Sequence, residues 1–434
     1  MIEATLSHFL KRILPKKTIW LAYSGGVDSH VLLHAINKAR ADFPEMNLKA
    51  IHINHQLMPD ANCWQEKTKA TCEKLNIPFF SETVQVKCET GESLEECARL
   101  ARHKIFKSLL EKNDVLLTAH HQNDQAETLL LQLLRGAGVK GLGGMREAIS
   151  MGKAVLMRPF LSISRDSLLA YAREEKLIWI EDLSNSNEAF SRNFLRKRII
   201  PLLGTRWPKA AVKLSQSAIH LQEAQDLLEE VAKVDLTLVL SKKDCLSLSA
   251  LTNFSIERQK NLLRFWISHN GFSSPSSKKL TTLMNEVIPA RIDAMPCVGW
   301  GNAEIRRYQD HLYIMPALTD FDISASLAWE MTKPLILPSG QGLLEARSAQ
   351  EGLIIRPGDK VEIRFRQGGE SCYLTHRTGK QSLKKLFQEW EMPTWKRDRI
   401  PLLYINNELK WIGGHGACQI EKNSEHCYEI GWAN

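Results

Sequence analysis

Thr18–Ser29 reads TIWLAYSGGVDS, an apolar run that ends in two adjacent glycines flanked by hydroxyls and an aspartate. Thr18–Tyr23 has the length and the apolar, aromatic character of a buried strand. The stretch after it is a strand-to-helix turn. Two glycines let the backbone approach a ligand closely and adopt positive φ. The first amides of the following helix point outward and carry partial positive charge. Ser24, Gly25, Gly26, Val27, Asp28 and Ser29 therefore read as an anion-binding nest, with hydroxyl donors at both ends. It is built without a lysine, and no G-x-x-x-x-G-K-[ST] loop occurs anywhere in the chain. Asp28 is the odd member. A carboxylate beside a polyphosphate is repelled unless a cation lies between them, so Asp28 points to Mg²⁺.

Working outward, strands and helices alternate. Val31–Arg40 has helical spacing, Leu48–Asn54 alternates like a strand, Ala61–Leu75 is a polar helix and Phe79–Val86 is extended. Ser93–Lys112 reads as a helix, with Ser93 as N-cap and Glu96 completing a capping box. Asp114–Ala119 is a short buried strand and Asn123–Arg135 a further helix. This order predicts an α/β domain over residues 1–205, a Rossmann-like parallel sheet covered on both faces. Gly136–Gly144 (GAGVKGLGG) matches G-x-G-x-x-G but follows a helix, so it reads as a flexible loop near the site, not a dinucleotide fingerprint. From about Thr205 a long amphipathic helix, with Leu214, Ala218, Leu221 and Leu228 on one stripe, leaves this domain. Residues 206–334 read as that helical connector plus a middle domain, and 335–434 as a small α+β domain around the helix QSLKKLFQEW.

Composition narrows the class. At roughly 100–200 residues per domain, 434 residues allow two to four domains. Nine scattered cysteines form no C-x-x-C, which excludes a zinc ribbon, a cysteine-held iron–sulfur cluster and a disulfide framework. No apolar run approaches the ~18–20 residues of a membrane span, and the N-terminus lacks an uninterrupted apolar core of a secretion signal. The expectation is a cytoplasmic protein with no membrane partner. The net charge of +8 is mild and informative only where it is local.

Four segments carry candidate chemistry. In AHHQNDQAETLL (119–130), Asp124 and Glu127 stand three apart on one face of a helix start, beside His121. Such carboxylates attract an ammonium, hold Mg²⁺ or accept a proton, and His121 is a further base. In GESLEECARLAR (91–102), Arg99 and Arg102 form a surface network with Glu95 or Glu96, or face a phosphate or reacting base. Arg192, Arg196, Lys197, Arg198 and Arg206 are five basic residues with no acid between 191 and 206, the clustering of an RNA phosphate track. Residues 375–399 carry seven basic and three acidic residues, Lys384, Lys385 and Arg397 among them, with Trp390 and Trp395 interleaved. His52 and His55, three apart on a strand, face opposite sides and do not suit one metal.

S-G-G-x-D-S after a first strand resembles the PP-loop ATP pyrophosphatases, of adenine nucleotide alpha hydrolase-like fold. That likeness implies an enzyme that holds the pyrophosphate end of ATP and transfers AMP to an oxygen. With GESLEECARLAR, AHHQNDQAETLL, QLLRGAGVKGLGGM (132–145) and WIEDLSNSNEAFSRNFLRKRIIPLL (179–203), the chain resembles the tRNA(Ile)-lysidine synthetases over most of residues 18–205. The likeness returns at QSLKKLFQEWEMPTWKRDRIPLLY (381–404). It implies that ATP adenylates the C2 oxygen of wobble cytidine 34 in a CAU-anticodon tRNA(Ile). Free L-lysine then displaces AMP, and the resulting lysidine switches the tRNA from methionine to isoleucine. It further implies ATP on Ser24–Ser29, Mg²⁺ on Asp28, catalysis by Asp28, Asp124 and His121, and lysine or substrate contacts from Glu127, Arg99 and Arg102. RNA contacts would come from Arg192, Arg196, Lys197, Arg198, Lys384, Lys385 and Arg397, and the protein would be a homodimer. Many members have two aspartates where this chain has Asn123-Asp124, which moves the charged role to Asp124. A cytidine thiolase shares the first domain but uses cysteines for sulfur transfer or a cluster, and the missing C-x-x-C weighs against it. An amidotransferase would bring a glutaminase domain, and none is seen. The intact SGGVDS and Asp124 argue against a catalytically dead RNA-binding module.

Overall fold

The helix Ile2–Ile13 (α1) precedes the strand Ile19–Ala22 (β1), and the nest residues lead from β1 into the helix Val27–Ala39 (α2). The computed structural model describes residues 2–13, 18–86, 88, 94–181, 187–241, 245–374, 377, 379–422 and 426–433. Ser93, the expected N-cap, lies outside them. The alternation continues through Leu48–Asn54 (β2), Ala61–Lys74 (α3), Phe79–Thr83 (β3), Leu94–Leu109 (α4), Val115–Leu117 (β4) and Gln122–Leu134 (α5). A helical turn Val139–Leu142 (α6), a hairpin Ala148–Met151 (β5) and Ala154–Met157 (β6), and Arg165–Glu174 (α7) follow. The sheet order is β3-β2-β1-β4-β6-β5. All neighbours run parallel except the β5–β6 edge hairpin.

The strands show why they are apolar throughout. Ile19 and Leu21 of β1 pack with α1, α2 and α7 on one face. Trp20 between them packs with Phe106 of α4 and Leu116 of β4 on the other. Successive side chains point to opposite faces, and both faces are covered, so no position of β1 is left for a polar residue. Strand order reverses at β1, which has β2 on one side and β4 on the other. The crevice beyond the carboxyl ends of β1 and β4 is the topological switch point, the usual ligand position in open α/β sheets.

The chain divides into two units by contact, residues 1–230 and 231–434. The long helix Ala210–Val239 has residues in both. Among the described residues no helix is long and apolar enough to cross a membrane. In the second unit, an antiparallel sheet containing Cys297–Trp300, Ala303–Tyr308 and His311–Pro316 packs with the helix Ile256–His269 through Leu262, Leu263 and Trp266. Further on, short strands surround the helix Leu383–Glu389.

Arg397 is where the structure departs from the expected RNA-facing role. It is buried, its Nε donates to the Met392 carbonyl at 2.8 Å and its guanidinium donates to the Tyr308 hydroxyl at 2.8 Å. Trp395 is also buried, edge-on to Tyr308 and Tyr313 and facing the Arg306 guanidinium at 5.6 Å. The short helix Thr394–Arg397 turns these side chains onto the Ala303–Tyr308 strand, so they tie two parts of one unit together instead of meeting solvent. Lys384 and Lys385 are exposed. Replacing Arg397 with Met keeps volume but removes two buried charge-assisted bonds, and is expected to cost about 2–3 kcal/mol in urea denaturation. Lys384→Ala is expected to stay within about 0.5 kcal/mol. Wild-type stability in Arg397→Met would contradict the packing role.

Candidate active site

The nest is rigid behind and open in front. Gly25 has φ +88°, and a Cβ there would lie 2.7 Å from Ile180 Cδ1 and 2.9 Å from Thr68 Cγ2. Only glycine fits both the conformation and the space. The Gly25 carbonyl accepts the Ile180 amide at 3.0 Å, which fixes the loop from below. The Ser24 and Ser29 hydroxyls lie 3.1 Å apart, and Ser29 donates to the Gly26 carbonyl at 2.9 Å. No side chain caps the first turn of α2, so its amides stay available to an anion.

Asp28 meets the second helix start here. His121 ends the connection from β4 and caps α5. Its Nδ1 accepts the Asp124 amide at 3.3 Å, and Asp124 Oδ2 accepts the His121 amide at 3.0 Å. Because Nδ1 is an acceptor, the proton of the neutral ring sits on Nε2. That Nε2 is buried, 3.6 Å from Asp28 Oδ2 and 3.5 Å from Asp124 Oδ2. In this tautomer His121 presents its Nε2 proton to the space between the two carboxylates, without a hydrogen-bond partner among the described residues. Asp28 Oδ1 is buried without a hydrogen-bond partner among the described residues.

Asp124 and Glu127 are joined to the residues expected on an RNA track. Arg196 donates to Asp124 Oδ1 at 2.9 Å and to Glu127 Oε1 at 2.6 Å, while Arg192 donates to Glu127 Oε2 at 2.8 Å. Glu127 is fully buried. Burial works against the Asp124 carboxylate, but His121, Arg192, His120 and Arg196 outweigh it and hold its pKa at about 2. Arg192 stands on the helix Ser191–Phe194 (α8), which runs into a π-helical turn, Leu195–Ile199, that carries Arg196. The Ile200 amide bonds the Leu195 carbonyl five residues back, and Pro201 has no amide to restore the regular ladder. Lys197 lines the cleft, whereas Arg198 points out and pairs with Glu188.

The cleft holds about 890 Å³ and is lined by both acids and cations. Arg102 and Arg158 line it with His55, His103 and His120. Arg158 is buried. One of its amino groups donates to the Arg146 carbonyl at 2.6 Å, but its Nε has no partner among the described residues. Burial and Arg99 bring its pKa down to about 10. Burial also lowers His55 and His103 to about 4, and His120 to about 3 against the opposing pull of Asp124. These imidazoles are neutral at pH 7, so the positive charge of the lining belongs to its arginines and Lys197. Arg99 instead pairs with Glu96 on the surface, at 2.9 and 2.5 Å.

Arg158, after β6, has no motif around it in the sequence reading; only the hairpin missed there brings it to the cleft. Asn123 has a different task from a charged ligand. Its Oδ1 accepts the Arg165 amide at 3.0 Å, tying the start of α5 to the start of α7. The glycine-rich segment is not a flexible loop either. Gln125 and Gln222 hold its end at the Gly143 and Met145 carbonyls.

Residues 1–203 match the model of a PP-loop domain, 246–313 that of the TilS substrate binding domain, and 361–432 that of the TilS substrate C-terminal domain. The chain is 42% identical to a tRNA(Ile)-lysidine synthase of Coxiella burnetii, over 98% of this chain and 95% of that one. It is 40% identical to that of Legionella pneumophila (95% and 94%) and 37% identical to that of Methylococcus capsulatus (95% and 95%).

The buried charge cluster gives a contrast between two ion pairs. Glu127→Ala leaves two guanidiniums short of an anion and is expected to cost on the order of 3 kcal/mol in urea denaturation. Arg198→Ala, which breaks an exposed pair, is expected to cost less than about 1 kcal/mol. Equal effects would contradict the cluster.

Proposed function

The chain belongs to the tRNA(Ile)-lysidine synthase family, and from that membership we propose how its cleft performs the reaction. It is an ATP-dependent ligase that joins lysine to C2 of the wobble cytidine in the CAU-anticodon tRNA(Ile). The observation that carries the site assignment is the convergence of Asp28, on the nest, with His121 and Asp124 at one end of the cleft.

ATP lies with its β- and γ-phosphates against Ser24–Ser29. The cytosine O2 attacks the α-phosphorus. The new O–P bond forms as the bond to the β-phosphate oxygen breaks, and pyrophosphate leaves held by the nest amides. His121 donates from Nε2 toward developing negative charge. The ε-amine of lysine, having lost one proton, then attacks C2. The C–N bond forms, the C2–O bond breaks, AMP departs with that oxygen and the nitrogen gives up a second proton.

Asp124, with a pKa of about 2, stays ionised throughout. It suits attraction of the ammonium and is too weak a base to deprotonate it. Glu127 acts on Arg192 and Arg196, not on substrate. Asp28 fits Mg²⁺. Its buried Oδ1 lacks a partner among the described residues. Among the described residues no group of three or more His, Cys, Asp or Glu side chains could hold a metal, so Asp28 would hold Mg²⁺ only together with ATP. Mg²⁺ held there would supply charge neutralisation for the phosphates. Lysine has an amine at one end and a carboxylate at the other, and the cleft lining carries both acids, Asp28 and Asp124, and cations, Arg158 among them. We assign the lysine carboxylate to Arg158, whose buried Nε has no partner among the described residues. The substrate argues for a cytoplasmic enzyme.

The test supplies purified protein with ATP, Mg²⁺, labelled lysine and the tRNA(Ile) transcript. Label is expected in the tRNA and is expected to vanish when C34 is changed to U. Modification by a sulfur donor in place of lysine would favour the thiolase reading. Arg158→Gln is expected to raise the KM for lysine by about 10- to 100-fold, the worth of one charge-assisted bond, at similar kcat. Lysinamide, which lacks the carboxylate, should be used equally by wild type and variant. A rise in the KM for tRNA instead would give Arg158 to an RNA phosphate.

A further inference from the structure

Three rings run from core to surface at the end of the helix Leu383–Glu389. Phe387 is fully buried. Trp390 follows at 6.0 Å with a 53° tilt, and His415 lies on Trp390 at 3.8 Å, only 10° from parallel. Trp390 is half-buried and His415 is exposed. One face of the imidazole is covered by the indole, so its exposure belongs to the other face.

The chain is shaped to hold that ring out. His415 stands in Gly413-Gly414-His415-Gly416, where Gly414 and Gly416 have φ of +74° and +88°. At 413 a Cβ would lie 2.9 Å from Pro401 and 3.0 Å from Trp432, so the loop is drawn tightly onto the core before it turns outward. The His415 amide donates to the Ile412 carbonyl at 3.0 Å. These restraints act on the backbone and leave the imidazole edge open. The helix Leu383–Glu389 carries the exposed Lys384 and Lys385, the latter 4.0 Å from Glu389, and Arg377, earlier in the chain, pairs with Glu389 at 2.7 Å.

We propose that the open face of His415, backed by Trp390, is a stacking platform for an unpaired base of the tRNA substrate. The proposal rests on the ligase reading, because it takes a tRNA to be on the protein. A flat ring with one free face and a rigid second ring behind it suits a nucleobase, since every base has a π-face. Flanking ammonium groups suit the phosphates on either side of that base. The contact is tolerant of base identity and adds affinity, not chemistry.

The test uses the full chain and measures KM for the tRNA(Ile) transcript, kcat and filter binding. His415→Ala is expected to raise KM and Kd for tRNA by about 5- to 100-fold at unchanged kcat, the worth of one stacked base. The salt dependence of binding should remain that of wild type, because no phosphate contact is lost. His415→Phe, which keeps the flat ring without its nitrogens, should stay within about 2-fold of wild type, as stacking alone requires. Wild-type affinity in His415→Ala, or an equal loss in His415→Phe with an unchanged Tm, would overturn the platform. If wild type binds tRNA but incorporates no lysine, the ligase reading fails, and filter binding of the same variants still decides the platform.

Discussion

Two helix starts, those of α2 and α5, emerge side by side from the adjacent parallel strands β1 and β4. The rest of the site depends on that adjacency. Each start carries an acid on its first turn, Asp28 on one and Asp124 on the other. Partial positive charge at both helix ends makes those acids affordable and makes the gap between them attractive to polyphosphate. His121 spans the gap at 3.5–3.6 Å from each carboxylate. A sheet in which β1 and β4 were separated would place the same residues out of reach of one another.

The charges around the gap divide the work. Arg192 and Arg196 hold Glu127 and one oxygen of Asp124, and with His121 and His120 they keep the Asp124 pKa low against burial. Desolvation alone would have driven that carboxylate the other way. The histidines lining the cleft are kept neutral, so arginines such as Arg102 and Arg158 carry positive charge there. A cleft lined by both acids and cations can meet both charged ends of a free amino acid. Family membership supplies the identity of that amino acid; the mixed lining explains how this chain accommodates it.

Much of the first unit was legible because local chemistry and tertiary role coincide. TIWLAYSGGVDS is a strand, a nest and a helix start in sequence order, and Leu48–Asn54 has the strand bounds that its alternation indicates. The β5–β6 hairpin was not legible. Its strands are four residues each and lack a long periodic signal, so Arg158 went unnoticed. The direction of Arg192 and Arg196 was hidden for another reason. A run of basic residues reads as an RNA phosphate track, and nothing in it shows that Arg192 and Arg196 meet buried acids of α5. Arg397 failed likewise, because sequence counts its charge but not the hydroxyl and carbonyl that satisfy it.

The claim beneath all of this is that AMP is carried on the cytosine O2 before lysine arrives. A tRNA(Ile) transcript bearing ¹⁸O at O2 of cytidine 34 tests it most directly. After turnover with ATP and lysine, the AMP released should carry the ¹⁸O on phosphorus, and the pyrophosphate should carry none. Heavy oxygen released as water, or retained in the modified tRNA, would contradict the account.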